Sequence, residues 1–376
     1  MSVASGTRRR FLMLNWRDPR NPLAGGAERV SLAYMQALVD RGHEVDWFAF
    51  AFPGAAPEER IGGVRIRRGG KVFSAILEAR RWCRRQRPYD LVIDQHHGIP
   101  WYAPWWSGTR CLAYIHEVLG PIWSSFYRWP ANWIGPLQER WTHRFYRHVP
   151  FWVPSESTRR ALLRHGVKSV RVLDNGVDIE PLAELAPVPP SNPIQLVSVS
   201  RLAPNKRVEH AVQCLDELRR RGVKARLTVI GDGSERANLE GLTTGLSLRG
   251  EVVFAGYQPE AEKLRILRES HLLLHPSVRE GWGLNVIEAN AMGVPAVVYP
   301  VDGLVDSTVD QVTGVICPRE TPAALADGVQ WAMENSERHH RLREAAWRRS
   351  FEYRWRVVLP PACEFLEQQA SGLKMG

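Results

Sequence analysis

The stretch His275–Pro300, HPSVREGWGLNVIEANAMGVPAVVYP, contains the signals that decide the fold. It follows a short apolar run, Leu272 to Leu274, and passes through a glycine-containing loop into a predicted helix. Gly293-Val294-Pro295 ends that helix, and the apolar run Ala296 to Tyr299 predicts the next strand. Strand, glycine loop, helix and strand form one unit of a parallel α/β sheet. Such sheets bind ligands beyond the carboxyl ends of their strands.

The length and composition of the chain describe a globular protein with two domains. The 376 residues exceed one ordinary core, and 44% are apolar while 24% are charged. No apolar run approaches the 18 residues of a membrane-spanning helix. The run after Arg8-Arg9-Arg10 is too short for a signal peptide, so a first strand explains it better. The five scattered cysteines fit reduced thiols and no metal site, and a cytoplasmic location is therefore expected.

The positive charge of the chain lies in its first half. Residues 1–185 hold 27 Lys and Arg against 17 Asp and Glu, whereas residues 186–376 hold 23 of each kind. The net charge of +10 therefore belongs to the first half. An anionic partner is expected to bind there.

The first half opens with a Rossmann-like pattern. A strand is predicted from Phe11 to Asn15, followed by the loop Gly25-Gly26-Ala27-Glu28, a helix that stops at Gly42, and a strand from Val45 to Phe50. Backbone N–H groups at such a helix start can face an anion, and a plain tight turn is the alternative. Further strands are predicted at 89–94, 111–115, 151–155 and 170–173, and helices at 75–86 and 155–166.

Tryptophan is concentrated between residues 101 and 152, which hold eight of the 15 in the chain, and Arg128, Arg140, Arg144 and Arg147 are interleaved with them. Packing of irregular loops is one explanation. An interfacial surface on an anionic membrane is another, since Trp and Arg favour the depth of lipid headgroups. A platform for sugar rings is a third. Nucleic acid is an unlikely partner, because the sequence has no RNP, KH or helix-turn-helix signature.

A proline-rich segment, 181–193, predicts the linker between the domains. The expected domains are residues 1–185, residues 186–345, and a helical tail at 346–376 with a break at Pro360-Pro361. The second domain repeats the alternation of strands and helices, which predicts two Rossmann-like domains in tandem. Its predicted strands are 194–199, 225–230, 252–254, 272–274 and 296–299, its helices include 208–221, 259–269 and 322–335, and the run 314–316 precedes the last of these helices.

Four features converge at the carboxyl ends of the second-domain strands. They are Arg201 with Lys206, the loop Gly231-Asp232-Gly233, the carboxylates Glu280 and Glu288, and the helix start at Gly283, Leu284 and Asn285. Two cations and the N–H groups of a helix start suit a diphosphate without needing a metal. Carboxylates accept hydrogen bonds from paired hydroxyls, as on a ribose or a hexose. Each feature alone has an ordinary explanation, but all of them at one edge of a sheet predict a binding site.

These motifs resemble glycosyltransferase family 4, a retaining group with the GT-B fold. The resemblance covers nearly the whole chain. The E-x7-E spacing from Glu280 to Glu288, with EGWGL inside it, is the most specific of the matching motifs. The others are GGAE at 25–28, SRLAPNK at 200–206, GDGSE at 231–235 and the Asp302-Gly303 turn. The fold implied has two Rossmann-like domains whose parallel sheets face a cleft, with C-terminal helices returning to the N-terminal domain.

The resemblance also implies roles for individual residues in the second domain. Glu288 would bind the ribose hydroxyls of a nucleotide-sugar donor, and Glu280 the hydroxyls of the transferred sugar. N–H groups from Gly283 to Asn285 would bind the donor's phosphate side. Arg201 and Lys206 would neutralise the departing diphosphate.

In the first domain the resemblance points to two further contacts. Gly25 and Gly26 would bring the backbone close to donor and acceptor. His116 would contact the donor sugar, or else is a hydrogen-bonded histidine at a strand end. Two positions depart from the family pattern. Trp282 stands where Phe is more usual, which implies a bulkier pocket wall, and Asp306 stands where many relatives carry Glu.

The expected reaction moves a sugar from a nucleotide-diphosphate sugar to a saccharide or lipid-linked acceptor, with retention by front-face attack. No D-x-D motif occurs, so neither a metal clamp nor any cofactor is expected. A membrane acceptor would place the protein peripherally on the inner face of the cytoplasmic membrane. The alternatives are a nucleotide-sugar epimerase of the same fold and a basic binding module without enzymatic activity. A dinucleotide oxidoreductase is disfavoured, since no complete G-x-G-x-x-G is present.

Overall fold

The computed structural model describes residues 7–71, 74–120, 122–186 and 192–372. The predicted linker prolines Pro187, Pro189 and Pro190 lie outside this described part. The strands are β1 (Arg10–Leu14), β2 (Glu44–Ala49), β3 (Glu58–Ile61), β4 (Val64–Arg68), β5 (Leu91–Gln95), β6 (Cys111–Tyr114), β7 (Phe151–Val153), β8 (Val170–Val172), β9 (Ile194–Val199), β10 (Ala225–Ile230), β11 (Val252–Gly256), β12 (Leu272–His275), β13 (Ala296–Val298) and β14 (Gly314–Ile316). The helices are α1 (Gly26–Asp40), α2 (Ser74–Cys83), α3 (Ile122–Phe126), α4 (Ala131–Phe145), α5 (Glu156–Arg164), α6 (Val208–Arg220), α7 (Arg236–Gly245), α8 (Glu260–Arg268), α9 (Leu284–Ala291), α10 (Leu304–Ser307), α11 (Pro322–Met333), α12 (Ser336–Ser350) and α13 (Trp355–Ser371).

The chain divides into two compact units. The first comprises Met1–Val118, Ile134–Gly176 and Trp355–Gly376, and the second comprises Leu119–Trp133 and Val177–Arg354. These bounds differ from those predicted at 185 and 345. The last helix belongs to the first unit, in agreement with the expected return of the C-terminal helices.

The first unit is built on a sheet of strand order β3-β4-β2-β1-β5-β6-β7-β8. Every neighbouring pair is parallel except the β3–β4 hairpin at the edge. All five residues of β5 are buried, as in a parallel sheet covered on both faces. Helix α1 begins after Gly25, whose N–H donates to the Glu28 carboxylate at 2.7 Å, the half of a capping box that does not need a side chain on the cap residue.

The second unit has a fully parallel sheet of order β11-β10-β9-β12-β13-β14. In chain order within the unit this is 3-2-1-4-5-6, the arrangement of dinucleotide-binding domains. Helix α6 packs on this sheet because its apolar residues recur at helical spacing and are buried, namely Val208, Ala211, Val212, Leu215 and Leu218. The order reverses between β9 and β12, and the carboxyl ends of these strands flank the point where such sheets bind ligands.

One predicted element is wrong. Pro360 and Pro361 lie inside α13, which continues through them, and the chain turns earlier, at the short 3-10 segment Phe351–Tyr353. A proline in a helix interior costs about 3 kcal/mol through a missing hydrogen bond and a steric clash. The helix nevertheless buries an apolar face and packs against α1, and this burial offsets the cost. The buried residues of that face are Val358, Ala362, Cys363, Phe365, Leu366 and Ala370.

Candidate active site

Four loops at the carboxyl edge of the second sheet form the candidate site. They are residues 200–206 after β9, 231–235 after β10, 276–283 after β12 and 299–303 after β13, and we call them the carboxyl-edge loops. Because all strands of this sheet are parallel, their carboxyl ends lie at the same edge. The motifs singled out in the second half of the sequence are therefore brought together.

Backbone hydrogen bonds hold the carboxyl-edge loops against one another. Leu202 N–H donates to the Asp232 carbonyl at 2.9 Å, which joins the first two loops. Val278 N–H donates to Asn205 at 2.9 Å and joins the first loop to the third. Glu280 N–H donates to the Asp302 carbonyl at 3.2 Å and joins the third to the fourth. The side chains of these loops are thus presented on a connected backbone support.

Two glycines make this close approach possible. Gly231 has φ +128°, and a Cβ there would lie 1.9 Å from the Ser200 carbonyl oxygen. Gly303 has φ +82°, and a Cβ there would lie 2.1 Å from the Glu280 carbonyl oxygen. Both positions combine a left-handed backbone with contact against a neighbouring loop, so only glycine fits without strain.

Glu280 is the centre of a polar cluster. Its carboxylate lies 2.5 Å from Lys206 Nζ, accepts a hydrogen bond from Ser277 Oγ at 2.7 Å, and has His275 Nε2 at 3.1 Å. Burial raises the pKa of the Glu280 carboxyl, but the Lys206 ammonium and the His275 ring outweigh it and hold the net pKa well below the ordinary range. Glu280 is therefore ionised at neutral pH and is fixed as an acceptor.

Glu288 lies on α9 and its side chain is only 7% exposed. Lys263 on α8 places its ammonium 2.9 Å from one Glu288 oxygen and 3.0 Å from Glu260. A buried carboxylate needs such a partner, because desolvating an unpaired charge is costly. The two carboxylates of the E-x7-E motif are thus each matched to a lysine from another part of the unit.

A hydrogen bond to β9 and the packing of Leu284 support the start of α9. Gly283 precedes the helix with φ +88°, and the Asn285 side-chain amide donates to the Val199 carbonyl of β9 at 2.6 Å. This bond ties the helix start to the central strand, and the first N–H groups of a helix have no partner within it. Leu284 packs beside the buried cluster that includes Trp282. An anion at this end would meet backbone donors and the positive end of the helix.

Three other predicted features occupy distinct environments. Arg201 is exposed, and its side chain makes no ion pair with the part of the chain described here. Trp282 is 5% exposed and packs 5.3 Å from the Tyr353 ring, beside Ile287. The Asp306 carbonyl accepts a hydrogen bond from Arg349 at 2.8 Å. Trp282 therefore has a packing role of its own.

In the first unit, the GGAE loop and His116 follow β1 and β6. Glu28 is buried, holds the Gly25 N–H and pairs with Arg17 at 3.1 Å, so the acid of this motif organises its own loop. The Gly25 φ is −134°, and a Cβ there would meet only the Glu28 carboxylate, at 3.9 Å. Gly26 is the first residue of α1.

His116 belongs to a hydrogen-bond network at the end of β6. The Gln95 side-chain nitrogen lies 3.0 Å from His116 Nε2, and the Gln95 oxygen accepts from Ser31 at 2.8 Å. Burial lowers the pKa of His116 to about 3, with a smaller contribution from His97. The ring is therefore neutral at physiological pH, and when Nε2 accepts from the Gln95 amide the ring proton is on Nδ1.

Comparison with known families accounts for both halves of the chain. The family model described as Glycosyltransferase Family 4 matches residues 24–181, and the model described as Glycosyl transferases group 1 matches residues 186–349. The chain belongs to glycosyltransferase family 4. It is a glycosyltransferase, and its two parallel-sheet units form the GT-B fold.

Known relatives resemble this glycosyltransferase over nearly its full length. Glycogen synthase of Mycobacterium tuberculosis is 29% identical over 388 residues, which cover 93% of this chain and 92% of that protein. Sucrose-phosphate synthase from Thermosynechococcus elongatus superimposes with a TM-score of 0.80 at 20% identity, covering 97% of this chain and 100% of the other. The Anabaena protein HepE, solved in complex with UDP-glucose, gives a TM-score of 0.73 at 16% identity and covers 96% and 100%.

Sequence reasoning missed the groups that support the E-x7-E motif of this glycosyltransferase. Lys263 was assigned only to a helix, and neither His275 nor Ser277 was connected with Glu280. His275 and Ser277 lie within five residues of Glu280, so their proximity was a usable signal. Lys263 is 25 residues from Glu288, and no local pattern relates the two.

Proposed function

We propose that this glycosyltransferase transfers a hexosyl group from a nucleotide-diphosphate sugar with retention of anomeric configuration and without a metal ion. The observation that carries the proposal is the pairing of Glu280 with Lys206 and of Glu288 with Lys263 beside the start of α9. This places two acceptors for hydroxyl pairs on either side of an anion-binding helix end. A donor with a ribose, a diphosphate and a sugar matches that order.

Each site residue then has a role in binding or in bond cleavage. Glu288 binds the ribose hydroxyls, Glu280 binds the sugar hydroxyls, and the N–H groups of Gly283, Leu284 and Asn285 bind the phosphate side. Arg201 and Lys206 neutralise the leaving diphosphate. Since the exposed side chain of Arg201 has no acidic partner among the described residues, it can turn to a phosphate at little cost.

In the first unit we propose roles for Gly25, Gly26 and His116. The φ of Gly25 is one that any residue can adopt, so the backbone itself does not require glycine there. We attribute the glycine to the ligand, because a residue without a side chain leaves room for a ligand to approach the backbone. Gly26 begins α1 and adds an N–H group of the helix start. His116 is neutral and offers Nδ1–H to a sugar oxygen, while Gln95 fixes its ring.

The proposed step exchanges one bond at the anomeric carbon for another and moves one proton. The acceptor oxygen attacks the anomeric carbon from the side of the leaving group, and the bond from that carbon to the diphosphate oxygen breaks. The acceptor proton passes to the departing phosphate, which leaves as nucleoside diphosphate. Cations aimed at that phosphate stabilise the transition state more than the ground state.

A donor screen tests the proposal. We expect one uridine or guanosine diphosphate sugar to raise the melting temperature of the protein, with UDP-glucose as the first probe. The variant Glu288→Ala should lose this shift, whereas Glu240→Ala on the exposed face of α7 should keep it. Donor turnover that survives EDTA supports metal independence, and the anomeric proton coupling of the product reports retention. A protein that no nucleotide sugar stabilises would overturn the proposal.

For the acceptor, we infer a lipid-linked or cell-envelope saccharide at an anionic membrane surface. The support is a helix face of α4 in the first unit, which presents Ile134, Leu137, Trp141 and Phe145, each more than half exposed. Their spacing puts them on one side of the helix, and Arg140 and Arg144 on the same helix are also exposed. No helix in the described part of the chain is long and apolar enough to cross a membrane.

Vesicle sedimentation tests this acceptor proposal separately from donor binding. Wild-type protein should sediment with phosphatidylglycerol vesicles at low salt, and Leu137→Ser with Trp141→Ser should stay in the supernatant while keeping donor stabilisation. Leu163→Ser with Val357→Ser, which also removes two exposed apolar side chains, is the control. Equal sedimentation of all three proteins would refute the membrane surface.

A further inference from the structure

A cavity of about 750 Å³ opens at the amino ends of the strands of the first sheet. Four segments line it: the start of β1, the α1–β2 loop, the β3–β4 hairpin and the residues after α2. The GGAE loop and His116 lie at the carboxyl edge of the same sheet. The cavity is therefore at the opposite edge from the groups assigned to the donor and acceptor.

Arginine dominates the lining of this cavity, which we call the arginine cavity. Six arginines face two carboxylates, those of Glu44 and Asp46, which leaves an excess of four positive charges. The arginines are Arg8, Arg10, Arg60, Arg65, Arg85 and Arg87. The first half of the chain carries the whole net charge of the protein, and the reaction does not use these residues.

The two carboxylates are already occupied by the inner arginines. Asp46 accepts two hydrogen bonds from Arg65 at 2.8 Å and one from the Tyr89 hydroxyl at 2.6 Å. Glu44 accepts from Arg10 at 3.0 Å. These pairs link the strands at the floor of the cavity, and they leave few carboxylate oxygens free to accept hydrogen bonds from the outer arginines.

The outer arginines Arg8, Arg60, Arg85 and Arg87 have few acidic partners. Arg8 and Arg87 share Glu44, each at 3.3 Å. Arg60 donates to the Gly63 carbonyl at 3.1 Å. The exposed side chain of Arg85 makes no hydrogen bond or ion pair with the part of the chain that the structure describes. Four guanidinium groups around one opening repel one another, and an anion with several acceptor oxygens would relieve that repulsion.

We propose that the arginine cavity binds a compact anion with clustered phosphate groups. Guanidinium forks match phosphate oxygens in pairs, and the volume lies in the usual range for small-ligand sites. Among the described residues that line the cavity there is no Phe, Tyr or Trp, and its His43 ring is buried, with Nδ1 accepting from the Arg9 N–H and Nε2 beside Glu367. A soluble polyphosphorylated compound and a phosphorylated lipid headgroup share this chemistry. The proposal does not rest on the proposed transferase function.

Calorimetric titration of the full chain with sodium tripolyphosphate tests the site. We expect the double variant Arg60→Gln with Arg85→Gln to bind about 100-fold more weakly than wild type, because two charge-assisted contacts are lost. Both side chains are exposed, so the fold should be kept. Arg160→Gln with Arg164→Gln, which removes the same charge from exposed positions on α5, should bind like wild type.

A second arm separates the two sources of phosphate. The same three proteins are sedimented with phosphatidylcholine vesicles that contain phosphatidic acid. Binding of tripolyphosphate that depends on Arg60 and Arg85 assigns the site to a soluble anion. Vesicle binding alone with that dependence assigns it to a lipid headgroup. Equal weakening in both double variants, or no binding to either probe, would overturn the proposal, since only general surface charge would remain.

Discussion

Replacing Lys263 by Met is expected to weaken donor binding with little effect on the chemical step. The ammonium lies 2.9 Å from a Glu288 oxygen, and the side chains of Lys263 and Glu288 are 12% and 7% exposed. Removing it leaves a buried carboxylate with less compensation. Truncating one partner of a buried charge pair costs about 2–5 kcal/mol. The lower value applies here because water can reach the vacated position, and about 2 kcal/mol is about 30-fold in an equilibrium.

The effect should fall on the KM for the donor. Under the proposed function Glu288 holds the ribose, which does not change charge during the transfer, so the lost energy is common to ground and transition states. Initial rates at varied donor concentration should therefore show KM raised about 30-fold and kcat within about threefold of wild type. Lys263→Arg keeps the charge and should recover most of the affinity.

The matched control is Lys224→Met, an exposed lysine in the same unit that precedes β10, at the amino edge of the sheet. It should leave both constants unchanged. A folded Lys263→Met enzyme with an unchanged donor KM would refute the idea that Lys263 fixes Glu288. A fall in kcat with an unchanged KM would refute the prediction that Lys263 affects donor binding and not the chemical step.

Three further measurements test the site and its support. Lys206→Gln removes the cation proposed to meet the leaving diphosphate, and kcat should fall about 10²–10³-fold, measured under donor saturation; an unchanged kcat would exclude that role. Gly231→Ala should lower the free energy of unfolding by about 1–3 kcal/mol in urea titration, because its Cβ would lie 1.9 Å from the Ser200 carbonyl at φ +128°. Gly241→Ala, inside α7 with open space around it, should instead be neutral or stabilising, and the same cost at both positions would contradict this account. For His116, burial lowers the pKa in the folded state to about 3, whereas the ordinary value is 6.5. Between pH 6.5 and pH 3 the unfolded ring therefore binds a proton that the folded ring does not bind. The stability that the neutral ring contributes is lost as the pH falls through this range. An NMR titration assigned with His116→Gln should show no midpoint above pH 5, and a midpoint near 6.5 would contradict the buried environment.

The second sheet was predictable because its strands are short segments of mainly apolar residues that alternate with helices whose apolar residues recur at helical spacing. Strands β9 and β10 were predicted at the residues where they occur. The β3–β4 hairpin was not predicted, because its strands have only four and five residues, of which only Ile61, Val64 and Ile66 are apolar. The helix through Pro360 and Pro361 was misjudged because local sequence shows the cost of proline and not the surface that α13 covers.

The candidate site was likewise predictable only in part. The sequence indicated its glycines, its E-x7-E carboxylates and its cations, because these stand next to turns and helix starts that local patterns reveal. It did not indicate which charges would meet. Lys206 and Glu280 are 74 residues apart, and the Lys263–Glu288 pair joins two helices.

By itself, the sequence determined the alternating strands and helices, the position of the carboxyl-edge loops and the family resemblance, all of which depend on residues close together in the chain. The tertiary structure decided the partner of each buried carboxylate, the neutral state of His116 and the arginine cavity. The physical reason is the separation along the chain over which each kind of interaction acts. Backbone preference and hydrophobic periodicity act over a few residues, whereas burial and the pairing of charges depend on which distant segments the folded chain brings into contact.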